Sequence, residues 1–197
     1  MSGHSTATAC TGWDNGDCVG TSDCPPRCPR FFDSRGDPVL VQPYEETDFD
    51  ELVAMYERFD SALTSGIPLQ TRTSIEQWLG NLTADGWNLI ATSDGRVIGH
   101  VGIAPAEVDE PELVIFVDEE YQGRGIGSEL IHQLIAYASV RDYSALQLFV
   151  EQRNDPAIAV YRNTSFEISE ESFGTIEMRL SLEKPIAEAV RRPPAEQ

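Results

Sequence analysis

Apolar residues recur along this chain with two periods, and the periods mark its elements. Continuous or alternating apolar runs over 39–41, 87–92, 97–104, 113–117 and 145–150 predict strands. Helical spacing instead joins Phe49, Leu52, Val53, Tyr56 and Phe59, then Ile75, Trp78, Leu79 and Leu82, then Leu130, Ile131, Leu134, Ile135 and Ala138. Polar punctuation agrees with these boundaries. Thr47 with Asp50, and Thr73 with Glu76, read as helix caps, while Asn154 or Asp155 followed by Pro156 opens a further helix. Asp94-Gly95 predicts a hairpin turn between 87–92 and 97–104, and Phe173-Gly174 a second between 166–169 and 175–182. Residues 60–72, with Gly66 and Pro68, read as a loop, and no internal repeat is present.

The pattern is most informative at 113–138. A run buried on both faces, Leu113 to Val117, meets the acidic step Asp118-Glu119-Glu120, then Tyr121 and the turn Gln122-Gly123-Arg124-Gly125-Ile126-Gly127. A helix follows at once. Backbone N–H groups converge at such a helix start and the helix dipole adds positive potential, while glycines let a bulky anion approach. The stretch therefore predicts a phosphate cradle. Its spacing is neither that of a dinucleotide turn nor that of a nucleoside-triphosphate loop.

The motif Q-x-x-G-x-G, carried by Gln122, Gly125 and Gly127, resembles the acetyl-CoA pyrophosphate loop of the GNAT superfamily of N-acetyltransferases. Downstream, Asn154, Ala157, Tyr161 and Phe166 match the superfamily's N-x-x-A-x-x-x-Y-x-x-x-G-F segment, with Ser165 in place of the glycine. The resemblance covers roughly 38–182. It implies an α/β (α+β) fold, a mixed, mostly antiparallel sheet of six to seven strands flanked by helices, whose splayed central parallel pair binds CoA. It implies acetyl transfer from acetyl-CoA to an amine. Backbone groups of Phe116, Val117 and Asp118 would then meet the pantetheine arm and the oxyanion. Gln122, Gly123, Arg124, Gly125, Ile126, Gly127 and Ser128 would meet the pyrophosphate, Arg124 through its side chain, and Asn154 would touch the pantetheine. The loop and helix at 60–82 would wall the acceptor pocket.

Acyl transfer to an amine needs a neutral nucleophile and a proton for the leaving thiolate. An alkylamine with a pKa near 10.4 costs about 4.6 kcal/mol to neutralise at pH 7, so a base is required near the acceptor. Glu112 shares a strand face with Val114 and Phe116 and is the candidate base, with Glu107, Asp109 and Glu110 as rivals. Tyr161 stands at the superfamily's general-acid position. Neither His4, His100 nor His132 has a neighbour that suggests catalysis, and the absence of Cys from this region favours direct transfer. A protein lysine or N-terminal amine is the favoured acceptor; a small-molecule amine, or a non-catalytic acyl-CoA-binding regulator, is the alternative.

Charge narrows the partners. Acidic residues outnumber basic ones 33 to 14, the net charge is −19, and Lys184 is the only lysine. Such a surface disfavours nucleic acid and suits multimolar salt, where screening removes self-repulsion, so a halophilic, cytoplasmic protein is expected. No apolar run is long enough to span a membrane, and nothing in the pattern excludes a homodimer. All four cysteines, Cys10, Cys18, Cys24 and Cys28, fall within 1–37, which reads as a separate cysteine-rich module. Four thiolates in a segment too short to bury a core suggest one structural zinc, with disulfides or free thiols as the alternatives. Residues 183–197, rich in Pro, Ala and Glu, read as a disordered tail behind the 38–182 domain.

Overall fold

The computed structural model describes residues 12–59 and 71–197. Within them, strands β1 (Arg30–Phe32), β2 (Pro38–Pro43), β3 (Trp87–Ser93), β4 (Arg96–Ala104), β5 (Glu112–Val117), β6 (Ala145–Glu151), β7 (Glu167–Ser172) and β8 (Thr175–Ser181) form one sheet, ordered β1-β2-β3-β4-β5-β6-β8-β7. Every neighbouring pair is antiparallel except β5 and β6, which are parallel. The sheet is thus mixed and mostly antiparallel, with eight strands where six or seven were expected. The additional strand, β1, comes from the cysteine-rich segment and pairs with β2, so the described part of 1–37 continues the main sheet.

The parallel pair is the exception that shapes the molecule. β5 lies against β4 through six residue pairs and β6 against β8 through seven, but β5 meets β6 only at Glu112↔Gln147. Beyond that bridge the two strands part.

Helices α1 (Phe49–Tyr56) and α2 (Arg72–Asp85) cover one face, and α3 (Ile126–Ala138), α4 (Asp155–Asn163) and α5 (Pro185–Ala189) the other. The periodic positions point inward as read. Leu52, Val53, Tyr56, Ile75 and Leu79 pack with Ile90 and Val97, while Leu130, Ile131, Leu134 and Ile135 pack with Val101, Leu113 and Leu146. Each such side chain contributes on the order of 1.5–3 kcal/mol on burial. The α3 helix approaches β4 closely at Gly99, where a Cβ would come within 2.9 Å of Leu130 Cδ1.

Three boundaries differ from the sequence reading for local reasons: α1 is preceded by a short helical turn whose capping box is Glu45 with Asp48, not Thr47 with Asp50. The α2 cap is Thr71, paired with Ser74 in a capping box, rather than Thr73 with Glu76. Residues 183–197 are ordered, against the expectation of a disordered tail. Pro185 starts α5, Ala187 and Val190 enter the main core, and Ala195 N–H donates to the Cys18 carbonyl at 3.1 Å. Ile186 packs beside them and the Val190 carbonyl accepts from Arg27, so apolar contacts and hydrogen bonds together dock the segment. Among the described residues no helix is long and apolar enough to cross a membrane.

Candidate active site

The parting of β5 and β6 opens a cleft of about 350 Å³. Its floor is Ile115, Phe116 and Val117 of β5; one side is the glycine turn with Ser128 and Ile131 of α3, and the other is Asn154, Pro156, Ala157, Val160 and Tyr161 of α4, with Phe59 at the rim. Asn154, Ala157 and Tyr161 of this wall are positions of the superfamily motif, and Val160 completes the same helical face.

The cradle has the geometry its glycines predict. Gly123 and Gly125 both adopt positive φ, 69° and 86°, and Gly125 is the N-cap of α3. No atom lies within 4 Å of a Cβ built on either, so backbone conformation and not crowding requires glycine there. Gly127 and Ser128 follow in the first helical turn and face the cleft, whereas the Ile126 side chain is buried in the core. Gln122 lines the cleft and ties the turn to the strand end, its Nε2 donating to the Val117 carbonyl at 3.0 Å.

Two expected contacts are corrected. The Arg124 side chain turns away from the cleft and is buried against Asp33 and Asp37, so its guanidinium is engaged by carboxylates and not directed at a phosphate. Asp118 is likewise buried; its N–H donates to the Ile98 carbonyl at 2.9 Å and its carbonyl accepts from Tyr121 N–H at 2.8 Å. Both backbone groups are thereby committed. Its carboxylate holds Arg58 Nε at 2.6 Å, fastening the end of α1 to the end of β5.

Asn154 caps α4, accepting from Ala157 N–H at 3.2 Å, and also lines the cleft. Tyr161 is 9% exposed and lines the same cleft, its ring set edge-on to Phe166 at 6.0 Å. Burial pushes its pKa up to about 12. Glu112 does not line the cleft. It sits at the closed end, on the single bridge to Gln147, and burial raises its pKa above the usual glutamate value. Two of its three rivals are engaged elsewhere: Glu110 is bound by Arg179, which holds its pKa down, and Asp109 accepts from Ser144.

The sequence reading missed a polar network beneath the cleft. His100 is fully buried, its Nδ1 2.8 Å from the Tyr56 hydroxyl and its Nε2 3.0 Å from Asn88 Oδ1. Asn88 donates its Nδ2 to the Leu82 carbonyl, so its oxygen faces the imidazole, Nε2 carries the proton, and Nδ1 accepts from Tyr56. Desolvation lowers the His100 pKa to about 3. The Tyr56 ring packs on Phe116 at 5.0 Å and joins Phe59 and Trp78 in an aromatic wall behind the cleft.

The described cysteines border one hollow without forming a ligand set. Cys18, Cys24 and Cys28 carry free thiols, and Cys10 lies outside the described residues. Among the described residues no three His, Cys, Asp or Glu side chains group so as to hold a metal, which leaves the zinc expectation without support. Cys28 Sγ instead accepts from Asn15 Nδ2 at 3.2 Å.

The sheet is thus split at one parallel pair, with an N–H cradle at one lip of the cleft and a buried phenol at the other. Residues 52–166 match the model of the acetyltransferase (GNAT) family, and the chain belongs to that family, whose acyl donor is acetyl-CoA. It is 34% identical over 110 residues to an uncharacterized N-acetyltransferase of Methanocaldococcus jannaschii, covering 52% of this chain and 48% of that protein. It is 37% identical over 81 residues to the N-alpha-acetyltransferase RimI of Mycobacterium tuberculosis, covering 39% and 49%. The chain thus spans about half the length of these curated relatives. Among solved structures, the GNAT domain of S. lividans PAT superposes with a TM-score of 0.67 at 22% identity, covering 77% of this chain and 95% of that one.

Proposed function

We propose that the protein transfers the acetyl group of acetyl-CoA to a protein amine, an N-terminal α-amine or a lysine, with Glu112 as base and Tyr161 as proton donor. The observation that carries this reading is the position of Tyr161. It is a buried phenol on α4, facing the cleft across from the edge of β5 that parts from β6.

The backbone of 123–128 holds the pyrophosphate, the β5 edge turned toward β6 at Val117 orients the thioester carbonyl, Phe116 being paired with His100 of β4 instead, and Asn154 contacts the pantetheine arm. The amine attacks the carbonyl carbon as its proton passes through water toward Glu112, which lies at the closed end of the cleft. The C–S bond then breaks and the sulfur takes a proton from Tyr161. With a phenol pKa of about 12 and a thiol near 8.5, full transfer to a free thiolate is uphill by about 5 kcal/mol. Donation therefore accompanies C–S cleavage instead of following it. Partial desolvation raises the Glu112 pKa, the direction a base requires, while the residue keeps contact with solvent. The likeness to the N-alpha-acetyltransferase RimI supports a protein acceptor.

The test is acetyl-CoA turnover against peptides with free amino termini, N-blocked lysine peptides and small amines, run from pH 6 to 10. A peptide should exceed the small amines in kcat/KM by at least tenfold. The Glu112→Gln defect should be largest at neutral pH and shrink as rising pH frees the amine unaided. Because the Glu112 pKa is raised, the wild-type acid limb should lie above the ordinary glutamate value. Preference for small amines would refute the protein acceptor, and a Glu112→Gln profile parallel to wild type would remove Glu112 from the mechanism.

A further inference from the structure

Arg124 stands between Gly123 and Gly125, both in left-handed conformation, and is the only one of the three with a side chain. A turn of this kind has wide backbone freedom, and neither glycine packs on anything that would restrict it. What fixes it lies 91 residues earlier in the chain. Arg124 Nε and Nη2 both reach the Asp33 carboxylate, and Nη2 also pairs with Asp37. The guanidinium lies 4.6 Å from the centre of the Tyr121 ring, and the Arg124 carbonyl accepts from Ser34 N–H at 3.1 Å. Asp33 is itself held rigid. Its Oδ1 accepts from the N–H groups of Arg35 at 2.9 Å and Asp37 at 3.0 Å, and its side chain is wholly shielded from solvent.

A second tie from the same segment reaches the helix behind the turn. Arg27 bonds both oxygens of Glu129, at 2.6 and 2.8 Å, in the first turn of α3, and Gln133 Nε2 donates to the Cys28 carbonyl at 2.6 Å. The Arg27 pair also offsets a carboxylate that would otherwise repel an anion at the helix start.

We propose that Asp33 is a positioning residue for the pyrophosphate site. Through Arg124 it holds the 123–125 backbone in the conformation whose N–H groups converge, and residues 27–37 act as a brace for the cradle. The proposal rests on the reading of the cleft as the acetyl-CoA site.

The test compares two ligands on the full chain: CoA, and pantetheine, which lacks the pyrophosphate. Asp33→Asn keeps the acceptor for the Arg35 and Asp37 N–H groups but removes the charge that grips Arg124. Calorimetry should show CoA affinity falling on the order of tenfold to a hundredfold, the scale of a misplaced binding group, with pantetheine affinity unchanged. In turnover the loss should fall on KM for acetyl-CoA far more than on kcat, and Arg124→Lys should lie between wild type and Asp33→Asn. Asp37→Asn, at a partly exposed position, should show a smaller loss of the same kind and serves if Asp33→Asn does not fold. Equal losses for CoA and pantetheine would reduce Asp33 to a purely structural role and overturn the proposal. Tighter CoA binding by Asp33→Asn would also overturn it, since Asp33 would then be withholding Arg124 from the phosphates. Wild-type protein that binds pantetheine but not CoA, or neither, would instead sink the reading of the cleft itself.

Discussion

Tyr161 and His100 are buried titratable groups kept neutral by the same desolvation, with opposite consequences for pH. The phenol gives up its proton near 10 when unfolded and at about 12 when folded. The stability tied to it is therefore complete below pH 10 and is lost as pH rises toward 12. His100 takes up a proton near 6.5 when unfolded but only at about 3 when folded. The unfolded chain thus binds more protons between these values, and stability falls on acidification through that window, by up to about 1.4 kcal/mol per pH unit. For catalysis the first shift matters more. Tyr161→Phe should lower kcat by about 10²–10⁴-fold with CoA affinity nearly unchanged, and the wild-type rate should show no alkaline limb from this phenol below pH 10. Single-turnover rates and calorimetry on the same samples check both halves. A Phe variant at full rate would leave the cleft standing without its proton donor.

At the scale of elements, the α4 terminus shows how far a motif can be read. Ser165 occupies the place of the superfamily's glycine, and the structure puts it in the left-handed region with φ 72°. The position demands what glycine gives freely, so the substitution carries strain and leaves the turn intact. Ser165→Gly should raise stability by about 1 kcal/mol, the left-handed penalty less the entropy glycine adds to the unfolded chain; chemical denaturation measures it. The strand, glycine turn and helix at 113–138, and the cleft-facing side of α4, were legible because each depends on neighbours within a few residues. The Arg124 assignment failed for the converse reason. Its partner is 91 positions away, and nothing local tells a phosphate ligand from a buried clamp. Tyr56 and His100, 44 positions apart, were unreadable on the same ground.

For the whole molecule, charge sets the conditions under which the fold holds. With a net charge of −19, self-repulsion should weaken the protein at low salt, and shortening the screening length from about 10 Å at 0.1 M to about 3 Å at 1 M should relieve it. The melting temperature should rise by roughly 4–8 °C over that range, equivalent to about 2 kcal/mol. A flat or falling dependence would count against a surface adapted to salt. The buried pairs of Arg124 with Asp33 and Arg27 with Glu129 lie beyond the reach of that screening, so the brace should outlast changes that loosen the surface.

The single bridge between β5 and β6 makes the sheet two blocks, five strands and three, meeting at one point. Elsewhere along that seam the spacing is kept by wedged side chains, Ile131 of α3 and Val160 of α4, and not by a ladder. The gauge of the opening is therefore a packing distance. A molecule sliding between the blocks breaks no strand-to-strand rung on its way in.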